Sequence, residues 1–165
     1  MSKLNYRGLS VDKFDKKILE VLQADCSLSV SDIAEQVGLS STPCWRRIQV
    51  LEKSGVIKKR VAIIDPEAVN VGLTVFVMVK TNQHNPDWLK KFSTTVRDIP
   101  EIMQFYRLSG DIDYLLRVVV PDMKAFDAFY KRLITLADFS DISSSFAMEE
   151  IKETTGLPLD YINKT

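Results

Sequence analysis

The stretch Gly38-Leu39-Ser40-Ser41-Thr42-Pro43-Cys44-Trp45-Arg46-Arg47-Ile48-Gln49-Val50-Leu51-Glu52-Lys53 decides the reading of the chain. Gly38 can end a helix by adopting the left-handed conformation that side-chain-bearing residues avoid. Ser40 can cap the next helix, and Pro43 then falls in its first turn, where a missing N–H costs little. At 100° per residue, Cys44, Ile48, Leu51 and Gly55 gather on one narrow face, and Thr42, Arg46, Gln49 and Lys53 on the opposite one. The first face predicts packing and the second predicts an outward polar surface.

Upstream, residues 12–25 read as a helix with Phe14, Ile18, Val21 and Leu22 on one side. Asp12 or Asp15 suits its positive end. Residues 30–37 read as a second helix, capped by Ser29 or Ser31, with Ile33, Ala34 and Val37 inward. Two short helices joined by a glycine-containing turn, the second bearing Thr, Arg and Gln outward, make a helix-turn-helix. Arg forks onto guanine, Gln pairs with adenine, and Thr meets a phosphate or a thymine methyl. Thr42, Arg46 and Gln49 are therefore the expected base readers, with Ser41, Arg47 and Lys53 on the flanks toward the DNA backbone. Trp45 lies between the two faces; packing is its weightier reading and DNA contact the alternative. A three-helix bundle with a solvated polar face satisfies the same spacing. Residues 56–64 weigh against it, because they read as a strand with a basic start, the wing of a winged helix. Lys58, Lys59 and Arg60 there would lie beside flanking phosphates.

Beyond a connector at residues 65–72, the pattern changes to strands and helices in alternation. Strands are predicted at 73–81, 101–109, 112–120 and 142–151, and helices at 86–98 and 123–137. The order βαββαβ is that of a ferredoxin-like, ACT-like domain, so the chain is of the α+β class. The expected boundaries are an arm at 1–11, a winged helix-turn-helix at 12–64, the connector, a ferredoxin-like domain at 73–159 and a tail at 160–165. Phe76, Met78, Phe105, Leu116, Val118 and Phe146 cannot all point at two helices on one face, because strand side chains alternate. A second copy would cover the spare face, predicting a homodimer.

The net charge of the 165 residues is zero, which by itself disfavours DNA. The distribution restores the case: residues 1–60 hold 11 Lys and Arg against 7 Asp and Glu, a net of +4, and the remainder carries −4. No apolar run approaches the roughly 20 residues of a membrane span, and residues 1–11 lack the apolar core of a signal peptide. The only cysteines are Cys26 and Cys44, and the single histidine is His84. A zinc site is not expected, nor any other metal or cofactor, and free thiols fit a reducing cytoplasm. Enzyme chemistry finds no phosphate loop or nucleophile elbow. Glu149 and Glu150, if on a strand, would point to opposite faces. A catalytic or allosteric subunit carrying a helix-turn-helix, and an architectural protein that wraps DNA with little sequence preference, are the competing classes.

The residues 39–48 with Leu51-Glu52, the stretch Leu108-Ser109-Gly110-Asp111-Ile112-Asp113-Tyr114-Leu115-Leu116-Arg117, and the stretch from Ser144 through Phe146, Met148, Glu149 and Gly156 to Pro158 together resemble the leucine-responsive regulatory protein/AsnC (Lrp/AsnC) family. The likeness extends from about Asp12 to Leu159. It implies a bacterial or archaeal transcription regulator, concerned with amino-acid metabolism, that binds double-stranded DNA at pseudo-palindromic operators. It also implies dimers that assemble into tetramers or octamers. Residues 42–45 and 145–149 most resemble a subgroup tied to sulfur amino-acid catabolism. Many members sense an amino acid between C-terminal domains. By motif position the effector residues would be Leu108, Gly110, Asp111, Asp113 and Tyr114, with Ser144 and Ser145 from a neighbouring strand. The turn chemistry of residues 109–113 is equally that of a plain hairpin. Gly110 would admit a close approach to the backbone, and Asp111 or Asp113 would take an α-ammonium.

Overall fold

The computed structural model describes residues 11–83 and 85–162. The arm expected at residues 1–10 and the His84 turn lie outside the described residues. The described residues form two compact units, one of residues 11–62 with 152–162 and one of residues 63–151.

In the first unit, α1 (Lys13–Ala24), α2 (Val30–Val37) and α3 (Ser41–Lys53) follow one another. Each of the first two starts on a reciprocal cap. The Asp12 carboxylate accepts from the Phe14 and Asp15 N–H groups while the Asp15 side chain accepts from the Asp12 N–H. Ser29 and Asp32 do the same for α2. Gly38 ends α2 at φ 75°, where an added Cβ would meet no atom, so alanine there would cost backbone strain of about 1–2 kcal/mol and nothing else. Ser40 takes the cap position of α3 as expected, but its side chain makes no cap hydrogen bond. Ile18, Leu19, Ile33, Ala34, Val37, Cys44, Ile48 and Leu51 form the buried core.

The C-terminal segment closes this unit. Leu159 and Ile162 pack on the helical core. The Gln23 amide donates to the Leu157 carbonyl at 3.2 Å and accepts from its N–H at 2.7 Å. Lys16 pairs with Asp160 at 2.6 Å. The ferredoxin-like domain expected to run to residue 159 thus gives up its end, and residues 152–162, including the described part of the expected tail, belong with the helix-turn-helix.

The expected wing strand is corrected: no residue from 56 to 64 belongs to a strand. A strand needs a partner, and none of the described residues pairs with this segment as a strand; the chain turns at residues 66–70 before entering the sheet.

In the second unit, β1 (Leu73–Lys80), α4 (Pro86–Arg97), β2 (Ile102–Arg107), β3 (Tyr114–Val120), α5 (Met123–Leu133) and β4 (Asp141–Phe146) give the βαββαβ order. The sheet runs β2-β3-β1-β4 with every pair antiparallel. Val75, Val77, Val79, Tyr114, Leu116, Val118 and Val120 face one way and form a core with Phe92, Val96, Phe126, Phe129 and Leu133 of the helices. Phe105 and Phe146 share that face by register, opposite Leu116 and Val75. Phe76 and Met78 point to the other side, as do Leu115, Arg117 and Val119. Phe76 is 36% exposed and Tyr106, opposite Leu115, 49%, so this face is an uncovered apolar surface.

The sequence-derived element ends change for physical reasons. The last strand stops at Phe146 rather than residue 151, because Phe146 already faces Val75 and β1 has only two more residues to offer. Glu149 and Glu150 are therefore not strand residues; both are exposed. Helix α5 ends at Leu133 rather than 137; the Thr135 hydroxyl donates to the Arg132 carbonyl just beyond, a local bond that competes with further helix.

Candidate nucleic-acid interface and effector residues

Helix α3 separates its faces cleanly. Cys44, Ile48 and Leu51 are at most 2% exposed, and burial raises the Cys44 thiol pKa. Ser41, Thr42, Arg46 and Lys53 are exposed, and Gln49 is half-buried. Trp45 is 51% exposed, so packing does not consume it and its ring edge is on the surface. The first-turn amides of α3, unlike those of α1 and α2, receive no side-chain cap. The N-terminus of this helix is thus left open to an anion such as a phosphate.

Arg47 departs from its expected place on the DNA backbone. Its guanidinium bonds Asp12 at 2.7 Å and Asp15 at 2.8 Å, and lies 5.5 Å from the Phe14 ring centre. It fastens α3 to the capped start of α1 and so positions the recognition helix. The Asp12 carboxyl is held below its ordinary range, first by the Asp15 N–H against the opposing effect of desolvation, then by Arg47.

Lys58, Lys59 and Arg60 are exposed beyond α3. Arg60 reaches back to Glu52 at 3.0 Å, and Glu52 also accepts from the Gln49 amide at 3.1 Å. Helical spacing alone places Gln49 and Glu52 one turn apart, but nothing in the linear pattern brings Arg60 to them.

The expected effector residues are dispersed. Leu108, Ser109, Gly110 and Asp111 are exposed at the hairpin between β2 and β3, with Gly110 at φ 143° and open space where a Cβ would stand. Asp113 is already employed: its carboxylate accepts from the Thr81 N–H at 2.8 Å, tying the end of β1 to the hairpin. The bond occupies one acceptor site of one carboxylate oxygen. Tyr114 is 4% exposed within an aromatic cluster of Trp88, Phe92 and Phe105, and burial, ahead of any charge nearby, raises its pKa. It is a core residue of this chain. Ser144 and Ser145 fall on opposite faces of the sheet, opposite Val77 and Phe76 respectively. Ser144 lines a groove of about 340 Å³ with Met123, Phe126, Asp127, Tyr130, Ile142 and Phe146. Among the described residues, no cluster of His, Cys, Asp and Glu could hold a metal ion, and no helix is long and apolar enough to cross a membrane.

Comparison with known proteins agrees with this architecture. Residues 11–58 match a winged helix-turn-helix DNA-binding domain, and residues 74–157 match the Lrp/AsnC ligand binding domain. The DNA-binding transcriptional activator DecR of Escherichia coli is 49% identical over 91% of this chain and 99% of its own length. The glutamate uptake regulatory protein of Zymomonas mobilis is 46% identical over 90% of this chain and 91% of its own. Among solved structures, an AsnC family transcriptional regulator from Agrobacterium tumefaciens is 59% identical, with a TM-score of 0.89 over 92% of this chain and 99% of that one. A transcriptional regulator from Neisseria meningitidis, solved as an L-Met complex, is 40% identical, with a TM-score of 0.87 over 91% and 97%. A helix-turn-helix followed by a four-stranded ferredoxin-like domain, matched to these regulators along nearly the whole length of the chain, places the protein in the Lrp/AsnC family of transcriptional regulators, to which it belongs.

Proposed function

We propose that this protein regulates transcription by sequence-specific binding to pseudo-palindromic operators in the cytoplasm, in the service of amino-acid metabolism. The observation that carries the proposal is the split of α3, with Cys44, Ile48 and Leu51 sealed inward and Thr42 and Arg46 standing outward. Thr42, Arg46 and Gln49 read bases, and Ser41, Trp45, Lys53, Lys58, Lys59 and Arg60 surround them on the phosphate side. One such helix reads only a few base pairs and its unit carries modest charge, so two copies must act together on a two-fold site. The bare apolar face of the sheet, with Phe76, Met78 and Tyr106, is the surface that pairs them. Tetramers or octamers then form from dimers. Neither catalysis nor a cofactor is part of this reading.

The C-terminal unit responds to an amino acid. Support comes from the match of residues 74–157 to a ligand binding domain and from the relative solved with L-Met. The L-Met in that relative keeps a sulfur amino acid foremost among effectors. The exposed hairpin residues Leu108, Gly110 and Asp111 are the contact points this chain offers, with Ser144 and Ser145 less directly placed.

Selection of duplexes from a randomised pool by the full-length protein tests the first claim. A recovered motif with two related half-sites supports it, and recovery of unrelated sequences contradicts it in favour of architectural binding. Titrating the twenty common amino acids against particle mass and operator affinity tests the second. Indifference of both readouts at millimolar concentrations removes the effector.

A further inference from the structure

Glu52 is the only carboxylate on α3, and it stands among groups expected to meet a polyanion. A negative charge there repels phosphate, so its placement calls for a reason. Each of its oxygens has a different partner. Oε1 accepts from the Arg60 guanidinium at 3.0 Å and Oε2 from the Gln49 amide at 3.1 Å. The side chain is 34% exposed, one turn beyond Gln49 and level with the segment that follows the helix.

We infer that Glu52 is a specificity-determining positioning residue, which fixes Gln49 in the orientation that reads adenine and holds Arg60 back from indiscriminate phosphate binding. The inference rests on the reading of α3 as the recognition helix. The chemistry of an amide carries the first half. Gln49 has two N–H groups and one carbonyl oxygen. Glu52 takes one N–H. The other N–H and Oε1 remain as an adjacent donor and acceptor, the pair that matches N7 and the N6 amino group of adenine in the major groove. Turning the amide over would set Oε1 against the Glu52 carboxylate, acceptor facing acceptor, so the alternative orientation is penalised. The Gln49 oxygen then confronts the O6 acceptor of guanine without a donor, and guanine is rejected.

Charge carries the second half. Arg60 paired with Glu52 contributes less to the field seen by any passing duplex than an unpaired arginine would. Non-specific binding, which depends on phosphate neutralisation and salt, is reduced, while an operator that fits α3 keeps its base contacts. A carboxylate at this place therefore widens the gap between operator and bulk DNA without making a base contact of its own.

The test uses the full-length protein as wild type, E52Q, E52A and Q49A. Each is challenged with a pool of duplexes carrying a randomised core and with a mixed-sequence duplex across a salt series. Wild type should select an adenine position in each half-site that Q49A erases. E52A should erase that same position and no other, cutting the preference for adenine by about tenfold, the order expected of one lost bidentate base contact. E52Q, with nearly the same shape and no charge, should bind the mixed-sequence duplex several-fold more tightly, with a salt slope steeper by about one as Arg60 becomes available to phosphate. Retention of the adenine preference in E52A, or an unchanged salt slope in E52Q, overturns the inference. If E52A fails to fold, the isosteric E52Q decides by its slope. Should wild type select no motif at all, the failure belongs to the recognition-helix reading and not to Glu52.

Discussion

The two units bury their apolar surface in different ways. The helix-turn-helix unit closes on itself: three short helices leave a gap that Leu159 and Ile162 fill from the far end of the chain. The ferredoxin-like unit leaves half its sheet bare, because two helices cover only one of two faces. A unit of three helices below about 40–60 residues is marginal on its own, which makes the borrowed segment valuable. A sheet with an exposed apolar face gains by pairing with another copy. The first unit thus buries its apolar surface within one chain, and the second leaves a face for which another copy is the proposed cover.

The largest effects that would break this contrast come from core truncation. Phe129→Ala should destabilise the sheet unit by about 3–5 kcal/mol and reduce particle mass, because it loosens the layer behind the pairing face. Ile48→Ala should destabilise the helical unit by about 2–5 kcal/mol and abolish DNA binding while mass is preserved. Calorimetry and light scattering on both variants check this; loss of mass in Ile48→Ala would show that the units are not separable in this way.

A smaller effect sharpens the role of the C-terminal segment. Leu159→Ala should lower the stability of the helical unit by about 1–2 kcal/mol through lost apolar burial, and leave the sheet unit alone. Hydrogen exchange at α1 amides reads this directly. Unchanged protection in α1 would make the segment a bystander.

The smallest expected effect is a pH dependence. The Asp12 carboxyl lies below its ordinary value of 3.8 in the folded chain, through the Asp15 N–H and then Arg47. A carboxyl lowered on folding stabilises fully above that value, and the contribution disappears as pH falls through the lowered one. The helical unit should therefore lose stability in acid below about pH 4, and Arg47→Ala should flatten that loss. An acid profile identical in Arg47→Ala and wild type would remove the clamp from the account.

The sequence made the helices readable because capping and periodicity are local. Gly38 and the inward set Cys44, Ile48 and Leu51 could be placed by counting, and the caps narrowed to Asp12 or Asp15 and to Ser29 or Ser31. The sheet was readable in order but not in length, since a strand ends where its neighbour ends, as β4 does opposite the start of β1. What stayed hidden depended on residues far apart in the chain: the Gln23–Leu157 pairing, the return of Arg60 to Glu52, and the diversion of Arg47 to Asp12. The effector residues suffered similarly. The motif 108–117 was visible, yet only the fold shows that Tyr114 belongs to the core and that Asp113 already holds Thr81.

The account turns on α3 reading bases with one face while the segment after it meets phosphate. Its most direct test compares Arg46→Ala with Lys58→Ala, each measured on the selected duplex and on a mixed-sequence duplex. Arg46→Ala should lose about 1–3 kcal/mol on the selected duplex alone, and Lys58→Ala should weaken both duplexes alike and reduce the salt slope by about one. Equal weakening of both duplexes by Arg46→Ala, with discrimination intact, would contradict it.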